Sequence, residues 1–188
     1  MGNYIKKQYR EYINETSNAV MTISYELSNY IWKYITKKQP RTILDLGSGF
    51  SSFIFRFYQK EYSTEETIVV TVDTQKKWLN KTEKFLKDKD LSIENLYTYR
   101  EFKELSFEPF DYVLFDLGPT DKRYNYLDMV FKYKKENCPL IIDDVHNKAY
   151  KDIVLEKCHK LNMKTNFLID DTFDTYGRFA VEINNKRI

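Results

Sequence analysis

The chain contains an apolar run of strand type that is followed directly by a glycine turn and a helical pattern. The run is residues 42–46, Gly47 and Gly49 come next, and the helical pattern resumes at Phe53. Glycine permits a positive φ and a close approach of the backbone to a ligand. The turn therefore predicts a nucleotide-like ligand at the carboxyl end of the strand, although a bare Gly-x-Gly also occurs in ordinary strand-to-helix turns.

Short apolar runs alternate with helical patterns along the rest of the chain. Continuous apolar runs are typical of strands buried in a parallel sheet, whereas the period of two over residues 179–183 indicates a half-exposed, antiparallel edge strand. This order predicts an α/β fold with a doubly wound, mostly parallel seven-stranded sheet, an antiparallel last strand and helices on both faces. The predicted strands are residues 42–46, 68–72, 96–99, 112–115, 140–142, 167–169 and 179–183.

The predicted helices follow apolar positions spaced by three and four residues. They lie near residues 20–39, 51–60, 78–86, 121–135 and 153–161. We expect residues 1–40 to form a helical lead-in that packs on a core of residues 41–188, in a single domain overall. The first helix is predicted either to serve packing alone or to close over a ligand near Met21 and Thr22.

Composition excludes few classes of function. Thirty basic side chains stand against 28 acidic ones, with no block of like charge that would indicate a nucleic-acid partner. The spacing of Cys138 and Cys158 favours buried thiols over a disulfide or a zinc site. Neither a signal peptide nor an apolar run of about 18 residues is present, so we expect a soluble, cytoplasmic protein without a membrane partner.

Four of the apolar runs contain an aspartate at or near their end. These residues are Asp45, Asp73, Asp116 and Asp143. The carboxyl ends of parallel strands share one edge of a sheet, which is where open α/β sheets bind ligands. Gathered carboxylates require hydroxyl donors, helix amino termini, a cationic ligand or a metal to offset their repulsion.

Each of these acids has a structural alternative to a role in binding. Asp73 follows Gly49 by 24 residues, near the spacing at which an acid after the second strand accepts hydrogen bonds from ribose hydroxyls, and its alternative role is to cap a helix. Asp45 either holds the glycine turn or meets an ammonium group of a ligand. Asp116, Asp143 and Asp144 offer hard oxygen ligands suited to Mg²⁺, although the Asp-Asp pair is equally compatible with helix capping.

Together these residues resemble the class I S-adenosylmethionine-dependent methyltransferases over roughly residues 41–183. Ile-Leu-Asp-Leu-Gly-Ser-Gly at 43–49 looks like their first motif, Val-Thr-Val-Asp at 70–73 like the acidic end of their second strand, and Phe-Asp-Tyr-Val-Leu-Phe-Asp at 110–116 like their fourth strand. The resemblance implies a Rossmann-like fold with S-adenosylmethionine as cofactor. It implies that the cofactor is held by Asp45, Gly47, Ser48, Gly49, Ser51, Asp73, Thr74 and Asp116.

A narrower resemblance concerns the catalytic end of the sheet. Asp116 with Ile-Ile-Asp-Asp at 141–144 is similar to the metal site of cation-dependent, catechol-type O-methyltransferases. This implies that Asp116, Asp143 and Asp144 ligate Mg²⁺. Those enzymes place a lysine base three positions after the first metal aspartate, where this chain has Pro119. Lys122 and His146 are the candidate replacements, and Asp116 is itself a candidate catalytic residue.

The predicted function is transfer of a methyl group to a small-molecule acceptor, at a hydroxyl oxygen whose pKa a metal would lower. One rival is a metal-independent methyltransferase acting on another small molecule, a protein or RNA. Another is a nicotinamide-dependent oxidoreductase with the same glycine turn, and a third is a non-catalytic binding protein. The segment 116–119 lacks the aromatic residue that closes the motif of enzymes methylating base amines, and a homodimer is left open.

Overall fold

The structure is a computed structural model that describes residues 2–63 and 66–185. Its strands are short, as expected for an α/β domain of this size. They are β1 (Thr42–Leu46), β2 (Ile68–Asp73), β3 (Leu96–Thr98), β4 (Tyr112–Phe115), β5 (Leu140–Ile142), β6 (Met163–Phe167) and β7 (Val181–Asn185). The helices are α1 (Gly2–Glu15), α2 (Tyr25–Lys38), α3 (Phe50–Glu61), α4 (Lys76–Asp88), α5 (Tyr99–Glu104), α6 (Leu127–Lys132), α7 (Lys148–Lys160) and α8 (Ile169–Thr172), with a 3₁₀ turn at Arg123–Tyr126.

Within the described residues the strands form one seven-stranded sheet in the order β3-β2-β1-β4-β5-β7-β6. Strands β1 to β5 are parallel, and β7 runs antiparallel to both β5 and β6. The predicted fold class is therefore confirmed. The chain adds β2 and β3 on one side of β1 and then β4 and β5 on the other side. The carboxyl ends of β1, β2, β4 and β5 therefore face a common crevice.

Helices cover both faces of the sheet. On one face α1, α2, α3 and α4 pack around a core that includes Ile43 of β1 and the aromatic residues Phe50, Phe53 and Phe85. On the other face α5, α6 and α7 pack against Leu44, the next residue of the same strand. Consecutive side chains of a strand point to opposite faces, so both must be apolar when both faces are covered.

The predictions for the last strands need correction. Strand β6 ends at Phe167, and Ile169 begins a short helix, so residues 167–169 are not a strand. Strand β7 lies inside the sheet and β6 forms the edge. The alternation of apolar and polar residues that indicated an edge strand has another cause. Val181 and Ile183 are buried while Glu182 is half-buried, because the two faces of this internal strand are covered unequally.

Two helix predictions also differ from the structure. The helix predicted from residue 20 begins at Tyr25, because the Ser24 hydroxyl caps it by accepting a hydrogen bond from the Leu27 backbone N–H at 2.9 Å. The helix predicted over 121–135 is a 3₁₀ turn followed by the shorter α6. Helix α5, directly after β3, was not predicted. None of the helices in residues 2–63 and 66–185 has the length and apolarity to cross a membrane.

Candidate functional site

The glycine turn between β1 and α3 is fixed by a close approach of the end of β4. Gly47 has a φ of +119°, and a Cβ atom there would lie 2.6 Å from the backbone carbonyl oxygen of Asp116. Gly49 has an extended backbone, and a Cβ there would make an ordinary contact of 3.5 Å with the Tyr12 hydroxyl. The positive φ expected in the turn is therefore confirmed at Gly47, where the neighbouring strand itself requires glycine.

Asp73 links the end of β2 to this turn. One of its carboxylate oxygens, Oδ2, accepts hydrogen bonds from the backbone N–H of Ser48 at 3.0 Å and from the Ser48 hydroxyl at 2.7 Å. The other, Oδ1, accepts from the backbone N–H of Gln75 at 2.8 Å. Burial raises the pKa of Asp73, and these hydrogen bonds oppose the rise. Both carboxylate oxygens of Asp73 are therefore held by the loops that follow β1 and β2.

Asp45 lies beneath the turn in the interior of the sheet. Its Oδ2 accepts hydrogen bonds from the hydroxyls of Ser52 at 2.5 Å and Thr71 at 3.1 Å. Burial raises its pKa to about 6, and the buried guanidinium of Arg56 limits the rise. Asp45 therefore holds the turn, which was one of its two predicted roles. It does not line the cavity, so the structure argues against the predicted contact with a cofactor.

A cavity of about 380 Å³ opens at the carboxyl ends of the parallel strands. This volume falls in the range of small-molecule sites. The other residues predicted to hold a cofactor all line it, namely Gly47, Ser48, Gly49, Ser51, Asp73, Thr74 and Asp116. Aromatic side chains of Tyr12, Phe50 and Trp78 complete the wall beside the glycine turn.

Three of the carboxylates that line the cavity converge. One oxygen from each of Asp116, Asp143 and Asp144 lies within 4.8 Å of the other two. Asp116 follows β4, and the other two follow β5, whose parallel pairing with β4 brings the strand ends together. The predicted convergence of these aspartates is confirmed.

The side chain of Arg123 enters this cluster from the 3₁₀ turn. Its Nη2 lies 2.8 Å from Oδ1 of Asp116, and its Nη1 lies 3.2 Å from Oδ2 of Asp144. Nη2 and Nε also donate to the backbone carbonyl of Gly118 at 2.9 and 3.3 Å. Only 5% of the Arg123 side chain is exposed. The guanidinium is therefore a buried cation that joins two of the three carboxylates.

Burial and mutual repulsion govern the protonation of the cluster. Burial raises the pKa of Asp116 to about 7, while the charge of Arg123 limits that rise. Burial and the two neighbouring carboxylates raise the pKa of Asp143 well above its ordinary value. The pKa of Arg123 is raised by Asp116 and Asp144 despite its burial. Arg178 also lines the cavity and interacts electrostatically with Asp116, Asp143 and Asp144, so two guanidinium groups offset the charge of the three carboxylates.

The donor set alone suits Mg²⁺, because hard carboxylate oxygens are its usual protein ligands. The occupied coordination positions do not suit it. Oδ1 of Asp116 and Oδ2 of Asp144 already pair with Arg123. A divalent ion between these carboxylates would lie beside a guanidinium of the same sign. The convergence of the acids is thus as expected, but the residues present do not fit the predicted metal ion.

The two predicted replacements for a lysine base lie outside the cavity lining. Lys122 is exposed, and the adjacent Arg123 is the residue that turns inward. His146 is exposed too, with its Nδ1 3.6 Å from Oδ1 of Asp144. The structure therefore argues against both as bases. Sequence reasoning missed Arg123, whose only signal was a basic residue beside Lys122 in the loop after β4.

The segment before α2 forms part of the cavity mouth. The Asn18 side chain accepts hydrogen bonds from the backbone N–H groups of Val20 and Met21, both at 3.0 Å. Arg178 donates to the backbone carbonyls of Ala19, Val20 and Thr22 at 3.0 to 3.1 Å. Val20 and Met21 are 63% and 60% exposed and line the cavity, as do Thr22 and Ile23. The prediction that this region lies at a ligand site is consistent with that position.

Comparison with known proteins yields matches in structure. No protein-family model matches the chain, and no curated protein matches its sequence. The O-methyltransferase from Bacillus cereus, solved with S-adenosylhomocysteine (SAH), has a TM-score of 0.72 at 13% identity, and the match covers 94% of this chain and 89% of that one. The SAH-bound methyltransferase PaMTH1 from Podospora anserina has a TM-score of 0.73 at 12% identity, covering 97% and 88%. The fold is that of the class I methyltransferases.

A third match extends the range of sources. The O-methyltransferase TomG from Streptomyces achromogenes, involved in tomaymycin synthesis and solved with S-adenosylmethionine, has a TM-score of 0.64 at 14% identity. It covers 97% of this chain and 87% of that one. At such identities the likeness concerns the fold, so the chemistry must be argued from the residues of this cavity.

Proposed function

We propose that this protein transfers the methyl group of S-adenosylmethionine to a hydroxyl oxygen of a small-molecule acceptor. The observation that carries the proposal is the carboxylate of Asp73. It is held at the end of β2 by Ser48 and Gln75, and it lines the cavity. A fixed acid at this place, beside a glycine turn in this fold, suits the ribose hydroxyls of a nucleoside.

The other residues of the cavity fit the same cofactor. When bound, S-adenosylmethionine supplies an electrophilic methyl group on a positively charged sulfur. Gly47 and Gly49 line the cavity, and because glycine has no side chain the backbone can approach a ligand there closely. The carboxylates of Asp116, Asp143 and Asp144 converge in the same cavity, together with the guanidinium groups of Arg123 and Arg178.

Asp116 is the residue best placed to receive the proton of an acceptor hydroxyl. It lines the cavity, and 20% of its side chain is exposed although one of its oxygens pairs with Arg123. Neither Lys122 nor His146 lines the cavity in competition with it. Asp116 therefore takes the proton, and the surrounding segments position the acceptor, which supplies much of the rate in a reaction of this kind.

The cavity mouth favours an acceptor that is small and partly apolar. Val20 and Met21 present exposed apolar side chains there, beside the indole of Trp78. The cavity volume of about 380 Å³ suits a small molecule rather than a polymer. A phenol or a similar hydroxylated ring would satisfy both features.

Calorimetric titration tests the cofactor, and transfer of a radioactive methyl group tests the acceptor. We expect S-adenosylmethionine and S-adenosylhomocysteine to bind and NAD to fail. We then expect label to pass to members of a panel of phenols and other small alcohols, with bulk RNA and denatured protein as controls. Binding of NAD in place of S-adenosylmethionine, or label in RNA or protein only, would refute the proposal.

A further inference from the structure

We propose that Arg123 takes the place of a divalent cation between Asp116 and Asp144, and that this protein works without a metal ion. The inference rests on the proposed methyl transfer, because it concerns the acidic cluster of the same cavity. Its starting observation is that a single side chain forms ion pairs with both carboxylates, at 2.8 and 3.2 Å.

Arg123 meets the electrostatic need that would otherwise call for a metal ion. Three carboxylates with oxygens within 4.8 Å of one another require positive charge nearby. A guanidinium supplies it permanently, since arginine stays protonated in proteins, and its planar fork can address two carboxylates at once. The charge is part of the chain and needs no exchange with solution.

The guanidinium is fixed in this position by contacts outside the ion pairs. The carbonyl of Gly118 accepts from Nη2 and Nε, and the backbone carbonyl of Asp143 lies 3.5 Å from Nη1. The ring of Tyr150 lies 5.8 Å from the guanidinium carbon. Moving Arg123 aside for an ion would break all of these contacts and leave a buried charge without partners.

An ion also could not bind alongside Arg123. One oxygen of Asp116 and one of Asp144 already pair with Nη2 and Nη1. A divalent ion among these oxygens would lie within a few ångströms of another positive charge, in a site with little water to screen the repulsion. Binding of the ion and the observed position of Arg123 are therefore mutually exclusive.

Manganese binding provides a test that does not depend on the acceptor. Free Mn²⁺ is measured by electron paramagnetic resonance during titration of wild type, Arg123→Met, Arg123→Lys and Lys122→Met. We expect no bound ion in wild type and a single bound ion in Arg123→Met, which frees the carboxylates while keeping the side-chain volume. Lys122→Met is the matched control, because it removes an adjacent exposed charge, and neither it nor Arg123→Lys should gain a site.

Two results would overturn the inference. One is a bound ion in wild type that disappears in Asp144→Asn. The other is a folded Arg123→Met, judged by circular dichroism, that binds no ion. If Arg123→Met does not fold, the manganese titrations of wild type and Asp144→Asn decide the question, and we expect no bound ion in either protein.

Cofactor binding separates this inference from the function on which it rests. We expect wild type to bind S-adenosylmethionine with the same affinity in Mg²⁺ and in excess EDTA, and affinity lost in EDTA would also overturn metal independence. Absence of S-adenosylmethionine binding in both buffers would instead refute the proposed function, while the manganese titration would still report on the position of Arg123.

Discussion

Replacing Asp73 with alanine should weaken the binding of S-adenosylmethionine by at least about tenfold. The structure shows three hydrogen bonds to this carboxylate, two from Ser48 and one from Gln75. The carboxylate lines the cavity, where we expect it to accept a hydrogen bond from a ribose hydroxyl. A charge-assisted hydrogen bond contributes about 1.5 to 3 kcal/mol, which corresponds to a factor of about 10 to 150 in the dissociation constant.

The loss should exceed this range if the glycine turn also shifts, because Asp73 holds the Ser48 backbone as well. Ser48→Ala separates the two effects: it removes the 2.7 Å hydroxyl contact but leaves the carboxylate, so we expect a smaller loss of affinity. Asp170→Ala is the control, because Asp170 is an exposed acid outside the cavity lining. Isothermal titration with S-adenosylhomocysteine gives the dissociation constants. An unchanged constant for a folded Asp73→Ala protein would refute the assignment of Asp73.

Three further substitutions test the turn, the buried acid and the cavity mouth. Gly47→Ala should lower the free energy of unfolding in urea by about 3 kcal/mol or more, because its Cβ would lie 2.6 Å from a carbonyl oxygen. The free energy of unfolding of the wild type should fall by about 3 kcal/mol between pH 3.8 and about 6, because the folded protein holds a proton on Asp45 that the unfolded chain has released. Asp45→Asn should remove this fall. Arg178→Lys should speed proteolytic cleavage within residues 17–23 at least about tenfold, since one lost charge-assisted hydrogen bond is worth about 1.5 kcal/mol or more.

Each of these has its own control. The control for Gly47→Ala is Gly177→Ala. Gly177 also has a positive φ, of +77°, but a Cβ there would have no neighbour within 4 Å, so we expect the substitution to lower the free energy of unfolding by only about 1 to 2 kcal/mol. For Asp45 the sign matters: its raised pKa makes the folded state more stable at low pH, and a rise in stability with pH relative to Asp45→Asn would contradict the argument. Arg100→Lys, at an exposed position, should leave the proteolysis rate unchanged.

The first five strands could be predicted because their sequences leave few alternatives. Residues 42–46 and 112–115 became strands at the predicted bounds, since continuous apolar runs between polar turns fit a sheet that is covered on both faces. The same reasoning brought the acids that follow these strands to one edge. The local sequence pattern was sufficient for this, because in a parallel sheet the residues that follow the strands lie at the same edge.

The pattern failed where pairing or local hydrogen bonds decide the outcome. Alternation in residues 179–183 looks the same in an edge strand and in an internal strand with unequally covered faces, and only the pairing of β7 with both neighbours distinguishes them. Helix α2 begins late because Ser24 caps it and Asn18 binds the backbone of the preceding segment. Neither interaction alters the apolar spacing that predicted a longer helix.

By itself the sequence determined a doubly wound sheet, a glycine turn and a set of acids at the edge where ligands bind. These follow from local periodicity and from the geometry of parallel strands. Only the tertiary structure decided what neutralises the acids. The side chain of Arg123 reaches Asp116 and Asp144 because the loop after β4 and the 3₁₀ turn direct it inward, whereas Lys122 remains exposed. The charge of Arg123 is visible in the sequence. The direction of its side chain depends on a fold that brings residues 116, 123 and 144 together.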